Sequence, residues 1–203
     1  MVIPMQIEPM PTEDGYRCWL SSEEQEQIVD FWSEEPDRKL AIELMLDGFR
    51  GEETTRVARQ DFRQLDAETE AFKVRIREGK TGYRECPVSS QTRLNAVTMS
   101  KTKGLRQGEP IIDVHPRTVR RWVKTAAEAL AKETGDDDWR HVRPHDLRRT
   151  WATHTFFRLD AHYAADVIMR WGGWSDRGTF ESNYLGREPD DLAAEMMDRA
   201  GLL

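Results

Sequence analysis

The chain has 203 residues, 38% hydrophobic and 33% charged, and its 30 basic and 37 acidic side chains give a net charge of −7 and a pI near 5.4. That length suits one ordinary domain with a real core, or a domain and a short arm, and excludes two full domains. No run approaches the roughly 18 apolar residues of a membrane span, and Met1 to Gln6 lack the basic and apolar regions of a secretory signal, so a cytoplasmic protein without a membrane partner is expected.

The average charge hides an asymmetry. Residues 1–70 hold 7 basic and 18 acidic side chains, residues 71–159 hold 19 and 10, and residues 160–203 hold 4 and 9. A basic centre between two acidic ends can still attract phosphate, because local potential steers association more than net charge does. The excess carboxylates fit equally a surface kept solvated at high salt or an ordinary acidic face. Cys18 and Cys86 are too few for a zinc site and have no disulfide-framework spacing, so both read as reduced thiols. No metal and no cofactor are expected.

In chain order, residues 1–19 carry three prolines and no apolar periodicity, and read as an extended N-terminal arm. Ser21 to Glu24 form a capping box that predicts a helix to about Glu34. Pro36 suits a first helical position, and Leu40, Ile42, Leu44, Met45 and Leu46 predict a largely buried helix ending near Gly48, from which Arg50 emerges. Glu52 to Val57 could begin another short helix. Phe72, Val74 and Ile76 alternate with Lys73, Arg75 and Arg77 as in a half-buried strand. Gly79 to Gly82 turn the chain, and Tyr83 to Val88 return, so that Lys80 sits at a hairpin tip. The stretch to Pro110 reads as loop, apart from a short helix near residues 90–98.

From Pro116 to Thr134, Val119, Trp122, Val123, Ala126, Ala127 and Leu130 share a helix face, with Gly135 placed to end it. The other face carries Arg117, Arg120, Arg121 and Lys124, candidates for contact with DNA or plain solvated surface. Pro144 opens a helix through His154, Asp160 to Met169 give another, Thr179 to Leu185 a short one, and Pro189 opens a final amphipathic helix. The expected fold is mainly α (α+β), a helical bundle with a small antiparallel sheet.

His145 and Arg148 are three apart, so on a helix they share a face and can meet one bound group. Breaking a phosphodiester without a metal needs a nucleophile, cations for the non-bridging oxygens and an acid for the leaving oxygen. Arginine suits the clamp, since its planar fork meets two oxygens and stays charged; Arg50 and Arg148 are the candidates. No HExxH, cysteine–histidine cluster or GxxxxGK[ST] loop points to metal or nucleotide chemistry.

In this order the residues resemble the catalytic domain of the tyrosine recombinases, the phage integrase family. The resemblance covers roughly residues 20–190. It rests on Gly48-Phe49-Arg50-Gly51-Glu52-Glu53, on Lys80 within Gly79-Lys80-Thr81-Gly82, on His145-Asp146-Leu147-Arg148-Arg149-Thr150 as the most specific match, and on Gly173-Trp174 followed by Tyr184. It implies a recombinase catalytic domain over residues 20–203. Tyr184 would attack the scissile phosphate of double-stranded DNA, Arg50 and Arg148 hold its oxygens, and His145 assist proton movement. Lys80 would protonate the leaving oxygen, and Trp174 bury the phosphate. Such a protein serves a virus, plasmid or other mobile element.

The sequence also departs from the family. Trp174 stands where histidine is commoner. It lies ten residues before Tyr184 against about nine in the family, a change that turns a helix by about 100°. Residues 1–19 are too short for the family's N-terminal core-binding domain, so either the chain grips DNA from one side or an accessory protein supplies the clamp. In the family the last helix docks into a neighbouring protomer, which implies a homotetramer on DNA and allows a monomer in solution. Plainer readings stay open: Arg50 as a helix-end cation, Lys80 as a solvated turn residue, Trp174 and Tyr184 as packing. A non-cleaving DNA-binding regulator with this fold, or a type IB topoisomerase-like nicking and closing activity, are the alternatives to recombination.

Overall fold

A computed structural model describes residues 4–11, 14–79, 82–159 and 162–203. Lys80 lies outside the described residues. The chain runs β1 (Gln6–Pro9), β2 (Tyr16–Trp19), α1 (Ser22–Asp30), α2 (Pro36–Leu46), β3 (Phe62–Gln64), β4 (Phe72–Gly79), β5 (Gly82–Val88), α3 (Ser90–Thr102), α4 (Pro116–Thr134), α5 (Pro144–Arg158), α6 (Ala164–Gly172), α7 (Arg177–Tyr184) and α8 (Asp190–Arg199). β1 and β2 pair antiparallel, and a separate antiparallel sheet has the order β3-β4-β5. The fold is a helical bundle with small antiparallel sheets, as expected. No helix among the described residues is long and apolar enough to cross a membrane.

The elements pack around α5, in which nine successive residues, Asp146 to His154, are buried. A helix buried all round must satisfy its polar side chains internally. Asp146 accepts from the backbone N–H of Arg143 at 2.8 Å and of Cys18 at 3.2 Å. The Thr150 hydroxyl accepts from the Leu20 N–H at 2.9 Å and donates to the Asp146 carbonyl. These bonds hold the end of β2 and the chain entering α1 against α5.

Two other helices end against α5 in the same way. At the end of α2, Gly48 takes φ +94°, with its N–H donating to the Met45 carbonyl and that of Phe49 to the Leu44 carbonyl, a Schellman cap. A Cβ at Gly48 would lie 2.6 Å from the Trp151 ring on α5, so only glycine fits. α6 ends likewise: Gly173 takes φ +71° and the Trp174 N–H reaches back to the Met169 carbonyl at 2.9 Å.

Several sequence expectations hold closely. The Ser21–Glu24 capping box is formed, α4 starts at Pro116 and stops at left-handed Gly135, and β4 alternates as expected. Others change. The described part of residues 1–19 is a hairpin rather than an arm, because Met5, Cys18 and Trp19 find burial against the helices. α1 ends at Asp30 instead of Glu34. Residues 51–56 form turns, not a helix: the Thr54 and Thr55 hydroxyls bond the Gly51 and Glu52 carbonyls. α3 extends to Thr102, and the Ser89 side chain caps it. Both cysteines are free and buried, and burial pushes the Cys86 thiol up to about 12.

Asp47, at the end of α2, yields a pH prediction. Burial pushes its carboxyl up to about 6, against hydrogen bonds from Thr92 and Ser89 that favour the charged form. The folded state therefore binds the proton more tightly than the unfolded chain, and stability falls as pH rises from about 4 to about 6. Asp47→Asn should raise the melting temperature at pH 8 by about 2–4 °C per kcal/mol gained, with little gain at pH 4, as thermal melts at the two pH values will show.

Candidate active site

The two glycine-capped helix ends deliver Arg50 and Trp174 to one cleft. The first turn of α5 adds His145, and the end of α7 adds Tyr184. The cleft measures about 460 Å³, and its lining also includes Arg120 from α4 and Thr179 from α7. The Tyr184 ring packs edge-on against Trp174 with centroids 4.5 Å apart, and lies 6.3 Å from the His145 ring.

Arg148 lies beneath this floor, 1% exposed, with its guanidinium 4.1 Å from the centroid of the Trp174 ring. It donates to the carbonyl of Gly48, in the turn that ends α2, and to that of Gly172, the last residue of α6. Burial, with the neighbouring guanidiniums of Arg84 and Arg50, pulls its pKa down to about 9, while Glu53 and Tyr184 act in the opposite sense. It stays charged at neutral pH. Among the described residues two buried donors here, Arg148 Nε and Trp174 Nε1, have no acceptor. The Trp174 ring closes on α6 so tightly that a Cβ at Gly172 would come within 1.9 Å of it.

One carboxylate organises the cations. Glu53 Oε1 accepts from Arg50 Nη1 at 2.9 Å and from Arg84 Nη1 at 2.8 Å, and its Oε2 accepts from Arg84 Nη2 at 2.9 Å and the Arg50 backbone N–H at 2.7 Å. Arg50 Nη2 also reaches the Gly173 carbonyl at 3.2 Å. Burial pushes the Glu53 carboxyl up, but the guanidinium of Arg84, bonded to it, and the Arg50 N–H and Arg148 hold it below the usual carboxylate range.

Over residues 18–189 the sequence matches the model of the Phage integrase family. The chain belongs to that family. Solved structures give the same fold. The XerA recombinase superposes with a TM-score of 0.67 at 16% identity, over 90% of this chain and 64% of that one. The Tn1549 transposon integrase in complex with a circular intermediate DNA gives 0.60 at 17%, over 93% and 67%. The XerH site-specific recombinase bound to difH gives 0.59 at 13%, over 93% and 55%. At such identity the likeness is one of fold, and the chain spans about two thirds or less of the length of these structures. No curated protein sequence matches it.

Of the residues singled out by the family motifs, Arg50, His145, Trp174 and Tyr184 line one cleft, and Arg148 underlies it; Lys80 is outside the described residues. The ten-residue spacing from Trp174 leaves Tyr184 in contact with the Trp174 ring. Of the four basic residues proposed on α4, only Arg120 reaches the cleft. Arg117, Arg121 and Lys124 are exposed elsewhere on the helix, and Lys124 pairs with Glu128 at 3.6 Å. Glu53 and Arg84 were not foreseen as site residues. Arg84 carried a readable signal: it shares the inward face of β5 with Cys86 and Val88.

Glu53 is the test of this network. Glu53→Gln leaves buried guanidiniums without their carboxylate, and should cost about 3–5 kcal/mol in urea denaturation at pH 7. The loss should shrink as pH falls through the carboxylate range, because a depressed pKa contributes stability that acid removes. An equal loss at pH 3 would contradict the pairing.

Proposed function

We propose that this chain is a site-specific DNA recombinase that cuts and rejoins strands through a phosphotyrosine on Tyr184, in the service of a virus, plasmid or other mobile element. The observation that carries the reading is that Tyr184 lines a cleft walled by Arg50 and His145 and floored by Trp174 over Arg148. Arg148 Nε and Trp174 Nε1 are buried donors to which phosphate oxygens would be acceptors. XerH and the Tn1549 integrase have been seen bound to DNA, which supports double-stranded DNA as the partner here, in the cytoplasm.

In the proposed reaction the Tyr184 oxygen attacks the scissile phosphorus as its proton passes towards His145. The phosphorus–tyrosine bond forms and the bond to the 5′ oxygen breaks. The DNA 3′ end is left on Tyr184 and the 5′ end as a hydroxyl, protonated by Lys80 on the family's pattern. Arg50, from the cleft wall, and on the family's pattern Arg148, from beneath Trp174, hold the non-bridging oxygens, whose charge grows in the transition state. The phosphotyrosine conserves the bond energy, so a 5′ hydroxyl from a second strand reverses the step on a new partner. No cofactor or metal is required.

The exposed Met196 and Met197 on α8, and Leu202 and Leu203 beyond it, support docking of this segment into a neighbouring protomer, giving a tetramer on DNA. Deleting residues 188–203 should abolish assembly on DNA in sedimentation while the melting temperature stays within a few degrees. A large loss of stability instead would mean that α8 serves its own domain.

The chemistry is tested with nicked duplexes tiled from the DNA flanking the gene, denatured after incubation with the protein. A covalent protein–DNA adduct is expected, and Tyr184→Phe should abolish it. Duplex binding with no adduct over a broad salt range would overturn the enzyme and leave a DNA-binding module.

A further inference from the structure

Beside the cleft lies a second cavity of about 470 Å³, which shares Arg120, Pro144 and His145 with the first. Arg17 from β2, Arg143 before α5, and Arg149 from α5 complete a basic wall, and no carboxylate is among its described lining residues. Arg120 and Arg143 are exposed and have no ion-pair partner among the described residues. In a chain of net charge −7, five cationic or protonatable side chains around one opening create a local potential for an anion.

Two of these arginines also hold the end of α7. The last carbonyls of a helix have no partner within it. Here Arg17 Nη1 donates to the Ser182 carbonyl at 2.6 Å, and Arg17 Nη2 to Asn183 Oδ1 at 2.6 Å. Arg149 Nε donates to the Asn183 carbonyl at 2.8 Å. Trp19 Nε1, two residues along β2 and so on the same face as Arg17, donates to the Tyr184 carbonyl at 2.9 Å, and the Thr153 hydroxyl does so at 3.0 Å. Arg17 and Arg149, which face the second cavity, thus hold the two residues before Tyr184, while Trp19 and Thr153, which line a different cavity, hold the Tyr184 carbonyl itself.

The geometry points to a second phosphate subsite, in which Arg143, Arg120 and Arg17 take a phosphodiester adjoining the scissile one, and Arg17 and Arg149 couple its occupancy to the position of Tyr184. This rests on the recombinase reading, since a strand passing through the first cleft must continue into a neighbouring opening, and the continuous one is basic. Arg17 and Arg149 are positioning residues: they act on Tyr184 through the carbonyls they hold.

Two measurements test it. On a mixed-sequence duplex, the slope of log binding constant against log salt should shrink by about 0.9 for Arg143→Gln, the value for one phosphate contact, and stay unchanged for the remote Arg170→Gln. On a duplex that yields the Tyr184 adduct, single neutral methylphosphonates are then placed at the phosphates on either side of the scissile one. One position should weaken binding about tenfold in the natural chain, or about 1.4 kcal/mol, and do no further harm in Arg143→Gln. The same neutralisation, and Arg17→Gln, should each slow adduct formation at saturating DNA about tenfold. An unchanged salt slope, or penalties that add at every position, overturns the subsite. Penalties that fail to add, with an unchanged rate at saturation, overturn the coupling to Tyr184. These results leave the recombinase reading intact, whereas a chain that neither binds duplex nor forms an adduct removes both.

Discussion

A buried guanidinium to which no carboxylate is bonded among the described residues is the interaction on which this structure turns. Arg148 gives up hydration that costs several kcal/mol to lose, and recovers it from the carbonyls of Gly48 and Gly172. The Gly172 carbonyl is the last of α6, where partial negative charge gathers, and the Gly48 carbonyl lies in the left-handed turn just past α2. One side chain therefore ties the ends of α2 and α6 to the second turn of α5. Because Arg50 follows the first end by two residues and Trp174 the second, their separation across the cleft is set by Arg148 itself. Left-handed Gly48 and Gly173 turn the chain at the two helix ends, and the Trp151 ring at Gly48 and the Trp174 ring at Gly172 leave no room there for a larger residue.

The same helix joins parts of the chain that are distant in sequence. Asp146 and Thr150 receive backbone N–H groups from Cys18 and Leu20, while Thr153 serves Tyr184 and Gly186. Further along, the Gln6 side chain accepts from the Arg187 N–H at 2.9 Å, and Gly186 packs under Trp19. The β1–β2 hairpin and the segment after α7 thus close over α5 together. Disturbing the hairpin is a disturbance of the tyrosine segment, although more than 160 residues separate Trp19 from Tyr184.

What could be read from the sequence was local. α4 announced itself through a proline start, a 3.6-residue apolar face and a glycine stop. The β4–β5 hairpin did so through strict alternation, and α2 through its apolar run into Gly48. The β1–β2 hairpin was opaque because its strands are four residues long and its burial depends on α5, more than 120 residues away. The motifs named Arg50, His145, Arg148, Trp174 and Tyr184, and the fold brings them to one place. They did not give Arg84 a part, since a charge on the inward face of a strand contradicts the usual pattern until Glu53 is seen opposite it. Nor did they distinguish Arg120 from its neighbours on α4, a matter of how that helix is rotated against α5.

Glu53 sets a balance sheet of charge. Among the described residues Arg50, Arg84 and Arg148 cluster round a single carboxylate, so these four side chains carry a surplus of two positive charges before any substrate arrives. A phosphodiester brings one negative charge, and on the proposed chemistry the five-coordinate phosphorus formed by tyrosinate attack carries two. The cluster is then fully neutralised only at the top of the barrier, and one cation remains in excess on either side of it. Had Arg84 lacked a role, or had a second carboxylate joined Glu53, the match would shift to the bound substrate and favour holding DNA over cutting it.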